Sequence, residues 1–223
     1  IGEDDEPIKP YLSIDAIIDI ALENGADAIH PGYGFLSENA NLAEACRKNG
    51  LIFVGPKPEV LLALGDKVTA KKVAKDNDVP IIQSNKRDLS SIGIALEEAE
   101  AIGFPVMLKA ASGGGGRGMR VIRDEEALRK GFTDSKREAL NAFGDETVFV
   151  EKFVQNPKHI EVQIIADEHG HVSHLYERDC SVQRRYQKVV EVAPSINLDE
   201  DTKQKLYEYA VRIAKAVDYN NIG

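Results

Sequence analysis

Tryptophan is absent from this 223-residue sequence, and cysteine and methionine occur twice each. Two cysteines, Cys46 and Cys180, are too few for a disulfide framework or a structural zinc site, so a reducing compartment fits better. No apolar run approaches the roughly 18 residues of a membrane span, and no signal peptide is visible. Basic residues are outnumbered, 28 Lys and Arg against 37 Asp and Glu. A net charge of -9 argues against a broad nucleic-acid-binding surface, which calls for clustered cations. It does not exclude a single nucleotide, for which a few local cations and backbone N–H groups suffice. Neither a Ser/His/Asp set at hydrolase spacing nor a His, Cys and carboxylate cluster at metal-ligand spacing is present. There is also no internal repeat and no low-complexity segment.

What is present is ordinary globular composition, 43% hydrophobic and 29% charged, in a chain long enough for one or two compact domains. Three blocks follow one another. In the first, Ser13 is an N-cap candidate, Ile14, Ile17, Ile18, Ala21 and Leu22 follow at helical spacing, and Gly25 stops the helix. The short strand Ala28-Ile29 runs into the turn His30-Pro31-Gly32-Tyr33-Gly34. A helix from about Asn39 to Lys48 and the buried strand Leu51–Val54 come next. Helices alternating with short strands predict a parallel α/β unit. Such a sheet needs more strands than this block holds, and the chain opens mid-pattern at Ile1, so part of the domain is expected before it.

The second block follows a helix starting near Asp66 and the break at Pro80. A helix over about Ile92–Ile102 places Ala95, Leu96, Ala99 and Ile102 on one face. The strand Val106–Lys109, a glycine run, the strand Met119–Ile122, a long helix capped by Asp124 and the strand Val148–Val150 complete a small α+β module. Modules of this size bury little core and often move as lids. The third block opens on an alternating strand, His159–Ile165, then a turn at Asp167–Gly170 and a strand near Val172–Tyr176. A polar, basic loop is expected next, then a helix from about Glu200 to Val217. No domain ending is visible at Gly223.

The strongest local signal is Ser112-Gly113-Gly114-Gly115-Gly116-Arg117-Gly118-Met119. Without Cβ atoms, backbone N–H groups can close around phosphate oxygens. The run satisfies G-x-G-x-x-G, but the dinucleotide version must sit between a strand and a helix, and here strands lie on both sides. No Gly-Lys-Ser/Thr follows, so it is not a P-loop. A mobile hairpin loop over a nucleotide and a merely flexible turn both remain open. Lys109, three residues before the loop, is placed either to meet a phosphate as a point charge or as a solvated strand end. Lys67 is weaker, since lysines in first helical turns are common. The segment Glu177 to Lys188 holds four cations and two carboxylates; it is either a solvated loop or a collector of small anions such as bicarbonate or phosphate. Cys180 reads as structural.

Several of these stretches together resemble the biotin carboxylases, part of the biotin-dependent carboxylase family. They are His30-Pro31-Gly32-Tyr33-Gly34-Phe35-Leu36-Ser37-Glu38-Asn39, Gly65-Asp66-Lys67, Lys109 with the glycine loop to Arg120, Glu151-Lys152-Phe153, Asn156 to Glu161, and Glu177 to Pro194. They stand in family order and spacing across essentially the whole chain. Leu175-Tyr176-Glu177-Arg178-Asp179-Cys180, with Lys158 to Gln163, is most similar to the pyruvate-carboxylating branch. The biotin carboxylase subunit of acetyl-CoA carboxylase, a carbamoyl-phosphate-synthetase-like ligase and a non-catalytic ATP-binding module are the alternatives.

The resemblance implies an ATP-grasp fold, α/β and α+β. Its parts would be a partial N-terminal α/β domain with a linker helix over 1–81, a lid over 82–153 and the start of a C-terminal ATP-grasp domain over 154–223. It implies that ATP and bicarbonate form carboxyphosphate, whose carbon passes to biotin on a carrier domain. A carboxyltransferase expected downstream would then hand it to pyruvate, giving oxaloacetate. Lys67 and Lys109 match phosphate-binding lysines, and Gly113, Gly114, Gly115, Gly116 and Gly118 match the phosphate loop. Glu151 (by its side chain), Lys152 and Val154 (by their backbones) match the adenine-binding hinge. His159, Gln183 and Tyr186 match residues near ribose and phosphates, and Tyr33 matches the position where the family approaches biotin. Lys188 matches a bicarbonate-site lysine, and Glu161 and Arg185 are grouped with it as catalytic. The family's Gln-Arg-Arg-His-Gln-Lys reads Gln183-Arg184-Arg185-Tyr186-Gln187-Lys188 here, so a phenol replaces an imidazole. Ligands for Mg2+ or Mn2+ are expected beyond Gly223, and the fragment alone is expected to be inactive. The family also implies a homo-oligomer at full length, in the cytoplasm or the mitochondrial matrix, the cytoplasm preferred.

Overall fold

A computed structural model describes residues 8–112, 118–184 and 187–222. Two compact units divide the chain: Ile1–Val79, Val162–Glu177 and Asn197–Gly223 form one, Pro80–Glu161 and Arg178–Ile196 the other.

In the first unit, helix α1 (Ile14–Glu23), strand β1 (Ala28–Ile29), helix α2 (Ala40–Lys48) and strand β2 (Ile52–Phe53) build the alternating pattern. Strands β1 and β2 pair in parallel, Ala28 opposite Ile52 and Ile29 opposite Phe53. Ser13 holds the N-cap position of α1 in extended conformation but makes no side-chain cap bond. Asn39 caps α2 fully, its side chain accepting from the Asn41 and Leu42 N–H groups. Ile18, Ala21, Leu36, Leu42, Cys46 and Leu51 form the core between them.

Helix α3 (Pro58–Gly65), not read from the sequence, follows; its Pro58 is at the first helical position, where a missing N–H costs no hydrogen bond. Asp66 then caps helix α4 (Lys67–Asp76) by accepting from the Thr69 N–H.

In the second unit, helix α5 (Ile92–Ile102), strands β3 (Val106–Ala110) and β4 (Met119–Ile122), helix α6 (Glu125–Phe143) and strand β5 (Val148–Lys152) form an α+β layer. The antiparallel sheet runs β4-β3-β5. Side chains alternate across it. Val106, Leu108, Ala110, Val148 and Val150 turn one way, into a core with Ala95, Leu96, Ala99, Leu128 and Phe132 of the helices. The register sets Met107 opposite Glu151 and Lys109 opposite Phe149, so these four share the other face.

The last strands are β6 (Ile160–Ala166), β7 (Val172–Arg184) and β8 (Gln187–Val192), in that sheet order, before helix α7 (Glu200–Ala216). Here the sequence reading is corrected. The segment read as a polar loop continues β7 to Arg184 and starts β8, while Arg185 and Tyr186 lie outside the described residues. Its charges are compatible with a strand because they pair across it. Arg178 and Lys188 meet Glu161 and Glu191, and Cys180 is buried between them in sequence. In β6, likewise, Glu161 and Gln163 are as covered as Ile160 and Val162, so simple alternation fails where polar side chains have partners. Among the described residues no helix is long and apolar enough to cross a membrane.

Candidate functional site

Two groups of the sequence-predicted residues come together, both within the second unit. The first lies on the non-core face of the β4-β3-β5 sheet. Lys109 and Glu151 sit diagonally across β3 and β5, a separation that long side chains span, and their ammonium and carboxylate groups form an ion pair. The Glu151 side chain is 7% exposed and that of Lys109 27%. Beyond Lys109 comes the glycine run. Its stems are held by Ala110 N–H donating to the Gly118 carbonyl at 2.8 Å and by the Ser112 hydroxyl donating to Asp145 at 2.8 Å. Gly118 has φ +68°, and a Cβ there would stand 2.9 Å from the Ala110 Cβ, so this glycine is required by both backbone and space. Gly113, Gly114, Gly115 and Gly116 lie outside the described residues. The Lys152 ammonium donates to the Gly103 carbonyl at 2.7 Å, and its backbone N–H donates to Gln83 O at 2.8 Å. Val154 is exposed.

The second group is built on β6, β7 and β8. Lys188 pairs with Glu161. Arg178 reaches the second oxygen of Glu161 at 3.2 Å and Glu191 at 3.4 Å. His159 Nε2 lies 3.2 Å from Glu161, its Nδ1 lies 2.7 Å from the Gln183 amide, and Gln183 also donates to the Cys180 carbonyl at 2.9 Å. The β7–β8 pairing shifts register between Asp179 and Val182 and again between Val182 and Gln183, leaving Gln183 opposite Lys188. Such irregularities re-aim side chains. Burial pushes the Glu161 carboxyl up, but the hydrogen bond from Lys188 and the charges of Lys188, Arg178 and His159 outweigh it, and its pKa ends below the usual range. Lys188 is raised, first by its bond to Glu161. Burial, and then the charges of Glu161 and Glu191, push the Cys180 thiol up. The group therefore holds ammonium and guanidinium charges beside the ionised Glu161 carboxylate and a neutral thiol. It is a preorganised ionic site, not a nucleophile waiting to act.

Lys67 and Tyr33 belong to the other unit. Lys67 is the first residue of α4, and its side chain lies outside what the structure describes. Tyr33 is 96% exposed on the rim of a cavity of about 620 Å³ lined by His30, Pro31, Val60, Leu64, Tyr219 and Ile222 among others. Sequence reasoning did not single out Arg178 and Glu191 as site residues. Arg178 stands two residues before the buried Cys180, on the same face of β7, a spacing that would have shown Arg178 had the segment been read as β structure; Glu191, on the next strand, carries no such signal.

As a metal centre the residues do not suit magnesium. Among the described residues Glu161, Cys180 and Glu191 are the one cluster close enough to share an ion. A thiol is a poor ligand for a hard cation that takes oxygen donors, and both carboxylates are already paired with Lys188 and Arg178.

A glycine loop joining two antiparallel strands, a lysine at its foot and a three-stranded sheet with helices on one face belong to the ATP-grasp class of nucleotide-binding folds. Residues 66–223 match the family described as "Carbamoyl-phosphate synthase L chain, ATP binding domain", and residues 1–61 match "Biotin carboxylase, N-terminal domain". With both stretches matched, the chain belongs to the biotin carboxylase family. It is 50% identical over all 223 residues to the mitochondrial pyruvate carboxylase of Mus musculus, of which it spans 19%. To the biotin carboxylase of Halalkalibacterium halodurans it is 51% identical over 215 residues, 96% of this chain and 48% of that protein. The biotin carboxylase domain of Hydrogenobacter thermophilus 2-oxoglutarate carboxylase superposes with a TM-score of 0.90 at 44% identity, covering 100% of this chain and 49% of that one. That structure is a complex with MgADP, ADP and bicarbonate.

Proposed function

We propose that this chain is part of the biotin carboxylase domain of a pyruvate carboxylase, and that it binds ATP and bicarbonate for the carboxylation of carrier-bound biotin. One observation carries this reading: the Lys188–Glu161–Arg178 group. It brings two cations, Arg178 of β7 and Lys188 of β8, to one carboxylate, where a small anion can gather. The Hydrogenobacter complex with MgADP and bicarbonate supports an adenine nucleotide and bicarbonate as the ligands.

In this reading Lys109 neutralises phosphate oxygens at the foot of the glycine loop, and the loop's backbone N–H groups close over them. Lys188 holds the bicarbonate-derived anion, and Glu161 holds Lys188. His159 and Gln183, joined to each other, line the nucleotide. Biotin on its carrier supplies the nitrogen that accepts the carboxyl group. Catalysis by these residues is positioning and charge neutralisation. Magnesium ligands, the carrier, the carboxyltransferase and a homo-oligomeric assembly belong to the parts of the protein outside this chain. The setting is the cytoplasm or the mitochondrial matrix, as the mitochondrial mouse relative suggests.

The test is ATP hydrolysis by the full-length protein. It is expected to depend on bicarbonate and, with pyruvate present, to yield oxaloacetate. Hydrolysis indifferent to bicarbonate removes the proposal. Bicarbonate dependence with acetyl-CoA but not pyruvate as acceptor moves the chain to the acetyl-CoA carboxylase branch.

A further inference from the structure

We infer that Glu191 is a specificity-determining residue of the anion site: its charge offsets that of the two cations, so that a singly charged anion is held lightly and a doubly charged one is not trapped. The inference rests on the proposed reading of this group as the bicarbonate site, and adds to it a limit on how tightly that site binds.

The four side chains close a ring. Lys188 meets Glu161 and lies 4.0 Å from Glu191. Arg178 reaches Glu161 at 3.2 Å and Glu191 at 3.4 Å. Each cation faces both carboxylates, each carboxylate faces both cations, and the four formal charges cancel. What the ring still offers an anion is individual N–H donors, of which an ammonium has three and a guanidinium five, rather than net charge.

The two carboxylates do different work. Glu161 makes the closer contact to each cation, so the orientation of Lys188 and Arg178 falls to it. Separations of 3.4 and 4.0 Å are long for N–H···O bonds, so Glu191 acts mainly through its charge, whose effect falls off slowly with distance. Its place is set by the β7–β8 pairing, which holds its neighbours Val190 and Val192 opposite Val182 and Asp179. Every residue of β8 is exposed, so a substitution at 191 disturbs no core. The proposed reaction gives the limit a use. Phosphate is left behind when carboxyphosphate gives up its carbon, and a site of net positive charge would favour that product over bicarbonate and slow its departure.

Two probes test this: nitrate, planar and singly charged like bicarbonate, and sulfate, doubly charged. In the full-length protein, at saturating ATP and constant ionic strength, the KM for bicarbonate and the inhibition constants of both anions against it are measured for wild type, Glu191→Gln and Glu191→Asp. Removing one like charge from a half-wet site is expected to lower the bicarbonate KM and the nitrate constant about fivefold in Glu191→Gln. The sulfate constant falls about 25-fold, the square of that factor, because the interaction scales with the charge of the anion. Glu191→Asp, which keeps the charge, stays within about twofold of wild type. A merely structural Glu191 gives the opposite sign, since loosened cations raise all three constants. Raised or unchanged constants, equal shifts for nitrate and sulfate, an Asp variant that behaves like Gln, or anions that do not compete with bicarbonate overturn the inference. Wild-type hydrolysis that ignores bicarbonate overturns the reading of the site instead, a result distinct from any of these.

Discussion

Tyr207→Phe removes a single oxygen from the best-buried ionic contact of the first unit. The Glu177 side chain is wholly buried and lies 3.3 Å from the Lys203 ammonium; it also accepts from the Tyr207 hydroxyl. The Tyr207 ring stacks on His174 with centroids 4.1 Å apart and meets Tyr176 edge-on. Phenylalanine keeps those ring contacts, so the substitution isolates the hydroxyl. A hydrogen bond to a charged group contributes about 1.5–3 kcal/mol; with Lys203 remaining as partner, about 2 kcal/mol is expected. That corresponds to about a 30-fold rise in the opening equilibrium, read as faster amide exchange in α7 and in residues 172–177 of the full-length protein. Burial, and then the bond to Glu177, push the Tyr207 pKa well above its ordinary value. A raised pKa favours the protonated form in the folded state. The stabilisation is therefore complete below the unfolded value of about 10 and is lost as pH rises above it. Tyr207→Phe should flatten that alkaline decline. Exchange rates within about twofold of wild type, a difference of about 0.4 kcal/mol, together with an unchanged alkaline limb, would refute the reasoning.

Lys188→Ala should lower bicarbonate-dependent ATP turnover by about 100-fold, the usual effect of losing one electrostatic donor, while ATP affinity stays near wild type; lost ATP affinity with normal bicarbonate dependence would assign Lys188 to the other ligand. Leu128, fully buried in the second core, should cost about 2–5 kcal/mol as Leu128→Ala, whereas Leu140→Ala on the exposed side of the same helix should stay within about 0.5 kcal/mol; local exchange in α6 separates them. The hydrogen bonds from His171 hold the Asp167 carboxyl down at about 2, so its stabilising contribution is present above the unfolded value of about 3.9 and lost as pH falls through about 2. An NMR titration should show that low midpoint moving upward in His171→Ala; an unmoved midpoint removes His171 as the cause.

The legible parts of this fold were those where one residue type has one physical use. Asp124 before an apolar-periodic run marks a helix start, and its side chain does accept from the Ala127 N–H. The face Ala95, Leu96, Ala99 and Ile102 is buried as its spacing requires. Strands on either side of the glycine run, read from β-type composition, pair antiparallel with Lys109 opposite Met119. Legibility failed where charge pairing replaced hydrophobicity. Glu177 to Lys188 looks solvated because a local reading cannot see that Arg178 and Lys188 reach Glu161 from a strand more than fifteen residues earlier. The same limit hid Tyr207 as the partner of Glu177, thirty residues apart in the chain. Helix α3 was missed for a different reason: it buries only Val60, so its apolar residues show no clear period.

The β4-β3-β5 sheet has a consequence for how this region can change over evolutionary time. Its chemistry and its core are interleaved along a single strand, with Val106, Leu108 and Ala110 turned one way and Met107 and Lys109 the other. Point substitution can alter either set without touching the other. A one-residue insertion or deletion before Lys109 cannot, because a shift of one position exchanges the two faces. The lysine would enter a space built for leucine, and leucine would face the glycine loop. Drift in this segment is therefore confined to changes that preserve its parity, whatever becomes of its individual residues.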